Sequence, residues 1–248
     1  MSQTWVHVVG GGVAGLSLAR ELAKSPTLPG NVIISDKRPD YSNDRTFGFW
    51  FADNEFDLLK PQHSVNNWSV SNSNEIITRS GFQYKYGIRS AGSLYLEALE
   101  LIDAHPQITR IEDSVSVRPD ACHVYDSRPP DIDEFKIIQA FAGTEIHCNM
   151  PHGVETVGLM DALEVVAAGV RFRYVIPLDD FRLLVEHTLF TDAPADLDAL
   201  NQLNLDWITA HWPNARITRC EQAQIPMGYK QPMRHLGYPI GARGGMTR

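Results

Sequence analysis

Residues Trp5–Gly15, WVHVVGGGVAG, constrain this chain more than any other stretch: a short apolar strand runs straight into a glycine turn and then into a helical pattern. Gly10, Gly12 and Gly15 fill the three positions of a dinucleotide fingerprint. There the first glycine makes the tight turn, the second admits a pyrophosphate to the backbone, and the third brings helix and strand together. Amides at the helix start then face the phosphates. Val13–Ala23 places Ala14, Leu16, Leu18, Ala19, Leu22 and Ala23 at apolar positions of a helix, and Pro26 and Pro29 stop it. Asn31–Asp36, NVIISD, reads as a second buried strand, ending in an acid where a ribose-binding carboxylate belongs. The SPTLPG loop makes this interval longer than the usual ~20 residues. The segment predicts a βαβ unit that binds FAD or NAD, without choosing between them.

Composition excludes several other classes. The 248 residues suffice for one large domain or two smaller ones, and a hydrophobic content of 43% is ordinary for a globular protein. A net charge of −8 argues against a general nucleic-acid binder. Cys122, Cys148 and Cys220 stand far apart with no CxxC, which predicts reduced thiols in a cytoplasmic setting. The nine histidines lack ligand spacing, so no metal site is expected. Leu163–Val175 comes nearest to a membrane span, but Glu164, Arg171 and Arg173 interrupt it. The chain enters its first strand by Trp5, so no signal peptide is expected.

Further along, Glu75–Ile88 reads as strand-rich, with Ile76, Ile77, Phe82, Tyr84 and Tyr86 in partial alternation. Ser93–Ala104 predicts a helix with Ser93 as its N-cap and Pro106 ending it. Ile108–Glu112 and Cys122–Asp126 are short strands suited to the N-terminal sheet. After Pro129 and Pro130 the pattern changes to long strands at Ile137–Cys148, Val157–Asp161, Val170–Pro177 and Arg182–Thr191, which predicts an antiparallel sheet. An amphipathic helix over Asp196–Trp212 and a strand over Arg216–Met227 follow. The expected division is a Rossmann-like α/β domain over 1–128, with 55–88 contributing to the substrate side. An inserted antiparallel substrate sheet spans 129–235, and 236–248 begins a return to the first domain.

Gln139–Glu145 (QAFAGTE), Met160-Asp161-Ala162, Arg171–Leu178 (RFRYVIPL) and Arg182–Glu186 follow one another in the second half, with Asp44-Arg45-Thr46 and the glycine fingerprint upstream. This order resembles the bacterial lycopene cyclases, flavoproteins that close the ends of a linear carotenoid into β-rings. The resemblance runs from Val8 to Arg248. It implies a fold like that of FAD-dependent monooxygenases and geranylgeranyl reductases. It also implies FAD in reduced form, NAD(P)H as electron source, and lycopene or a similar linear carotenoid as substrate. A substrate of this kind implies peripheral contact with the inner face of a membrane. The implied reaction is redox-neutral: a proton adds to the terminal double bond, a carbocation forms, the ring closes and a neighbouring proton leaves. The family's essential glutamate falls on Glu186, in LLVEHT.

Chemistry agrees with that transfer. A carbocation in an apolar cleft needs negative charge or aromatic faces nearby. Glu186 either supplies that charge as a carboxylate on a buried strand or is an exposed glutamate on an edge strand, and Phe47, Phe49, Trp50, Phe172 and Tyr174 are candidates for the faces or ordinary core. Burial would also raise the carboxyl pKa and fit it for acid–base work. Glu145 and Asp161 are secondary catalytic candidates, with an arginine ion pair and a strand end as their structural alternatives. Arg45 either contacts the cofactor or pairs with Asp44. Asp126, in DSRPP, either lies near the nucleotide or shapes a turn. Gly241 and Gly244 complete the cofactor-binding candidates, and His187 is expected to be a satisfied core or surface histidine.

Two departures from the family pattern stand out. Phe47-Gly48 stands where the family often has a Trp–Cys or Trp–Ser pair, which lets the backbone approach a neighbour closely but removes a large ring. In the family, the segment equivalent to Gly241–Arg248 runs on into a Thr-Gly-Tyr turn and a helical region, whereas here it stops. A fragment or truncated relative with exposed apolar surface and a tendency to self-associate is expected. Two other classes compete: a flavin-dependent hydroxylase or isoprenoid reductase, and a non-catalytic protein that binds apolar ligands.

Overall fold

The first two strands are continuous apolar runs, the pattern of parallel strands buried on both faces. The computed structural model describes residues 4–38, 40–112, 120–130, 135–229 and 237–246. In it, β1 (Thr4–Val9) and β2 (Asn31–Asp36) pair in parallel, joined through α1 (Val13–Ala23). Next come β3 (Thr46–Phe51), α2 (Phe56–Leu59), β4 (His63–Val65), β5 (Asn67–Asn72), β6 (Ile76–Ser80) and β7 (Lys85–Ser90). Then follow α3 (Ala91–Ala104), β8 (Ile108–Glu112), β9 (His123–Asp126), β10 (Phe135–His147), β11 (Val157–Val166), β12 (Gly169–Pro177) and β13 (Arg182–Thr191). The order closes with α4 (Leu197–His211), β14 (Arg216–Tyr229) and β15 (Tyr238–Pro239).

These elements form two units. The first comprises Met1–Asn43, Ala91–Phe135 and Pro226–Arg248. Its sheet runs β15-β9-β1-β2-β8, every pairing parallel. Val6, Val8, Val9, Val32 and Ile34 are buried in the sheet, and Leu16, Ala19, Tyr95, Ala98 and Ile102 are buried on α1 and α3. The α3 helix starts two residues before Ser93, so Ser93 is not its cap. Instead the Gly92 amide donates to Asn43 Oδ1 at 3.2 Å, a non-local partner that no local sequence pattern shows.

The second unit comprises Asp44–Ser90 and Lys136–Ile225. It holds a seven-stranded sheet, β14-β10-β13-β12-β11-β5-β6, and a three-stranded sheet, β3-β7-β4. In the larger sheet β10 pairs with β13, β13 with β12, β12 with β11 and β5 with β6 antiparallel, whereas β11 pairs with β5 in parallel. Its two faces carry different cores because side chains alternate along each strand. Leu183 and Val185 pack with Ile146, Val175 and Ile208 of α4. Leu184 and Ile176 pack with Val65, Tyr86 and Ile88 of the small sheet. Asp196 caps α4 by accepting from the Asp198 and Ala199 amides at 3.0 and 3.1 Å, a contact worth about 1 kcal/mol. In the stretch read as strand-rich, Ile76, Ile77, Phe82 and Tyr84 are exposed, and Tyr86 and Ile88 join the core. That alternation is therefore broken by the reversal between β6 and β7.

Candidate functional site

In the first unit, Gly10 adopts φ +98°, a conformation L side chains rarely take. A Cβ at Gly15 would stand 2.0 Å from the Gly10 carbonyl oxygen, so this glycine is required for the helix to meet the strand. At Gly12 a Cβ would meet nothing nearer than the Arg38 guanidinium at 3.9 Å. The backbone there is open to an approaching group. No side chain caps α1, and no acid sits in its first turn. An open glycine before uncapped amides fits a dinucleotide phosphate. Alanine at the two positions should therefore act differently. Gly12→Ala is expected to keep the native melting temperature while weakening nucleotide binding about tenfold or more, whereas Gly15→Ala should cost several kcal/mol. Calorimetry with nucleotide titration separates these outcomes, and equal thermal destabilisation by both would refute the distinction.

Asp36 closes the loop. Its carboxylate accepts the Gly11 amide at 2.9 Å and the Arg38 Nε at 3.2 Å, and the Arg38 guanidinium lies over the rings of Tyr41 and Tyr95. Asp126, at the end of β9, is fully buried. It accepts two bonds from Arg128, at 2.8 and 2.7 Å, and lies 3.6 Å from Arg243. Burial works against its charge, but these arginines hold the carboxyl below its usual range. Asp126 thus stands inside an arginine cluster, beyond the turn role considered from sequence. Gly241 (φ +63°) and Gly244 bound a short 3-10 helix. A Cβ at Gly241 would come within 2.7 Å of the Ala14 Cβ on α1. Thr247 and Arg248 lie outside the described residues.

The second unit carries the acids. Glu186 sits on β13, a strand flanked by β10 and β12, so it is not on an edge. Its residue is 9% exposed. Directly opposite it are Gly143 on β10 and Tyr174 on β12. Because paired residues share a face, these three line one row across the sheet. The row continues onto β14: a Cβ at Gly143 would lie 2.9 Å from the Glu221 Cγ and 3.6 Å from the Glu186 Cβ. The missing side chain at Gly143 lets two carboxyl side chains converge over β10.

Their partners differ. Glu186 accepts a hydrogen bond from Thr188 at 3.0 Å. Burial, reinforced by the Glu221 charge, pushes its carboxyl up to about 8. Glu221 accepts from Arg219 and from the Thr46 hydroxyl at 3.2 Å. Burial lifts Glu221 as well, against the opposing pull of Arg219 and Thr46. The two carboxyls titrate as a coupled pair. The arginine favours charge on Glu221 and leaves the proton on Glu186. Tyr174 is pushed up to about 12 by burial and by Glu186, so it stays a neutral phenol.

Glu145 lies two residues beyond Gly143 on the same face, bonded by Arg219 at 3.1 Å and 3.6 Å from Arg182. This is the ion-paired alternative considered from sequence. Asp161 takes hydrogen bonds from Ser71 at 2.6 Å and from Arg173 Nε at 3.1 Å, beside Ala162 at φ +53°. Burial opposes its charge, yet Ser71 and Arg173 hold it below the usual carboxylate range. It lies within a β11 that runs on to Val166, so it does not end the strand. Arg45 is exposed and pairs with Asp44 at 2.7 Å, and its charge also reaches Glu221. His187 faces the α4 side of β13, where its Nδ1 lies 2.6 Å from Asn204 Oδ1, a satisfied core histidine.

Among the aromatic residues, Phe172 and Tyr174 meet edge to face at 5.2 Å on β12, beside Glu186. Trp50 instead packs against Trp68 and Tyr86 at 4.4 and 5.1 Å. The close approach at Gly48 is to the Tyr86 hydroxyl, 1.9 Å from where a Cβ would stand. Arg219 and Glu221 were not singled out from sequence. Their signal was opposite charges at i and i+2, which place both on one face of a strand. Among the described residues no cluster of His, Cys, Asp and Glu is arranged to hold a metal ion. No helix among them is long and apolar enough to cross a membrane.

The sequence model of the lycopene cyclase protein family matches residues 90–248. Lycopene beta-cyclases from Paracoccus sp. and Pantoea ananas are each 35% identical over 91 residues, 36% of this chain but only 23% and 24% of their own lengths. A geranylgeranyl bacteriochlorophyll reductase-like protein from Thermoplasma acidophilum superposes with a TM-score of 0.67 at 14% identity, covering 98% of this chain and 71% of that one. A tryptophan 6-halogenase from Streptomyces toxytricini gives 0.65 at 10% identity, covering 100% and 69%. At such identities the likeness establishes the fold, the Rossmann-like α/β architecture with an added sheet expected from sequence.

Proposed function

The chain belongs to the lycopene cyclase protein family, and from that premise we propose that it performs the proton-initiated, redox-neutral closure of linear carotenoid ends, with Glu186 as the acid. One observation carries this reading. Glu186 is a buried carboxyl on a central strand that keeps its proton through neutral pH, beside the aromatic pair Phe172 and Tyr174. A buried carboxyl that keeps its proton up to about pH 8 has that proton available as a general acid at neutral pH. In the proposal the Glu186 carboxylic acid donates to the terminal double bond, and an internal double bond closes on the resulting carbocation. The ring proton then leaves, and the Glu186 carboxylate takes it back. Protons and electrons balance without an oxidant. Phe172 and Tyr174 offer π-faces to the cation. The neutral Tyr174 phenol adds no competing charge.

Gly10, Gly12, Gly15 and the first amides of α1 would hold the dinucleotide, with Asp36 at the ribose. Arg45, Asp126, Gly241 and Gly244 are its further candidate contacts. The cofactor we propose is FAD, reduced at the expense of NAD(P)H, which supplies anionic charge when bound. Lycopene as substrate implies peripheral attachment at the cytoplasmic face of a membrane.

The test is expression of this chain in lycopene-accumulating cells, with pigments resolved by chromatography and mass spectrometry. The expected product has the mass of lycopene and a shortened chromophore. A product heavier by hydrogen pairs or by oxygen would replace this proposal with a reductase or hydroxylase. Unchanged lycopene beside folded, flavin-loaded protein would remove it.

A further inference from the structure

We infer that Glu221 is a positioning residue for Glu186, brought beside it across Gly143 and anchored by Arg219 and Thr46, and that it keeps the proton on Glu186 between turnovers. The inference rests on the cyclase reading for its purpose, though not for its geometry. Three features of that geometry agree. Gly143 pairs directly with Glu186, and a side chain at 143 would enter the space Glu221 fills. Leu184 Cδ1 lies 3.3 Å from the same point, so that space is already crowded. Glu221 is itself 6% exposed, so its charge acts on Glu186 with little screening by water.

The asymmetry of the pair gives it a direction. Arg219 and Thr46 bond Glu221, whereas among the described residues Glu186 is bonded by the Thr188 hydroxyl alone. Negative charge is therefore favoured on Glu221 over Glu186. A second charge on Glu186 is opposed by like-charge repulsion as well as by burial. Glu145 on β10 and Tyr174 on β12 also share this face, with Arg182 at the start of β13. The first is occupied by Arg219 and Arg182, and the second is neutral. Arg45, the residue before β3, acts on Glu221 and so favours its charged form. After proton donation the pair would carry two charges. Repulsion then favours recapture of the ring proton by Glu186, which resets the acid.

The experiment reads the proton directly. Infrared difference spectra, recorded against pH on the full chain, follow the carboxylic-acid carbonyl band that Glu186→Gln removes. In the native chain this band should persist to about pH 8. In Glu221→Gln it should vanish at a pH lower by about one unit or more, because a negative neighbour is gone and Arg219 is left less neutralised. Gly143→Ala, which crowds Glu221 without removing its charge, should move the midpoint the same way and serves if Glu221→Gln does not fold. In cyclisation assays the alkaline limb of the pH profile should shift in parallel, with activity at lower pH within a few-fold of native. An unmoved band in a folded Glu221→Gln protein would overturn the inference. A moved band in a chain that leaves lycopene untouched would uphold the pair and sink only the cyclase reading.

Discussion

Glu186→Gln is expected to reduce cyclisation by about 10³-fold while leaving the nucleotide bound and making the protein more stable at alkaline pH. The first effect follows from removing the proton donor, since an amide of nearly equal volume preserves packing and the Thr188 contact. The second follows from linkage. The carboxyl titrates near 4.5 when unfolded and about 8 when folded. Between those values the unfolded chain has lost the proton and the folded chain keeps it, so native stability falls as pH rises through this window. Below the lower value the term vanishes, and above the upper value it is complete. Near neutral pH the glutamine variant should be more stable by roughly 2–3 kcal/mol, and by nothing at pH 4. Urea denaturation of both proteins at several pH values measures it. Equal stability at every pH would mean that Glu186 is not held protonated, and the acid role would go with it. A residue that lowers stability where the protein works is the usual mark of a site kept for chemistry.

How much of this was legible in the sequence depends on whether a feature is local. The α1 helix and the β2 strand came out at the expected bounds, as did β13, because apolar spacing and proline stops are written in the segments themselves. The identity of the central acid was legible only through a family stretch, LLVEHT, together with the alternation that buries one face of β13. What could not be read was everything set by strand order. The cap of α3 comes from Asn43, 49 residues away from Gly92. Glu221 joins Glu186 only because β14 lies beside β10, with a glycine at the crossing point. A glycine within a long strand signals close approach in general. Which side chains approach is settled by register, and no local pattern encodes register between distant strands.

Arg219→Met should be strongly destabilising, at about 3–5 kcal/mol, because it strands buried charge. Arg219 reaches Glu145, Glu221 and the Thr46 hydroxyl at once, with its side chain only 15% exposed. Methionine fills much of the same volume, so the loss is electrostatic. Glu145 keeps Arg182 at 3.6 Å, but Glu221 loses its bonded cation. The sign with pH is fixed. Without the arginine the folded-state pKa of Glu221 rises further, so the penalty is largest above neutrality and shrinks as Glu221 takes up its proton. Chemical denaturation should therefore show a larger deficit at pH 8 than at pH 5. Adding Glu145→Gln and Glu221→Gln to the arginine variant should restore most of the stability at pH 8, because neutral side chains no longer need the cation. Cutting the exposed Arg171–Glu164 pair should cost no more than about 0.5 kcal/mol, since water screens both groups. A deficit independent of pH, or unrelieved by the two glutamines, would mean that Arg219 acts through packing and that the charge on Glu221 is not its doing. The acid at Glu186 would then owe its proton to burial alone.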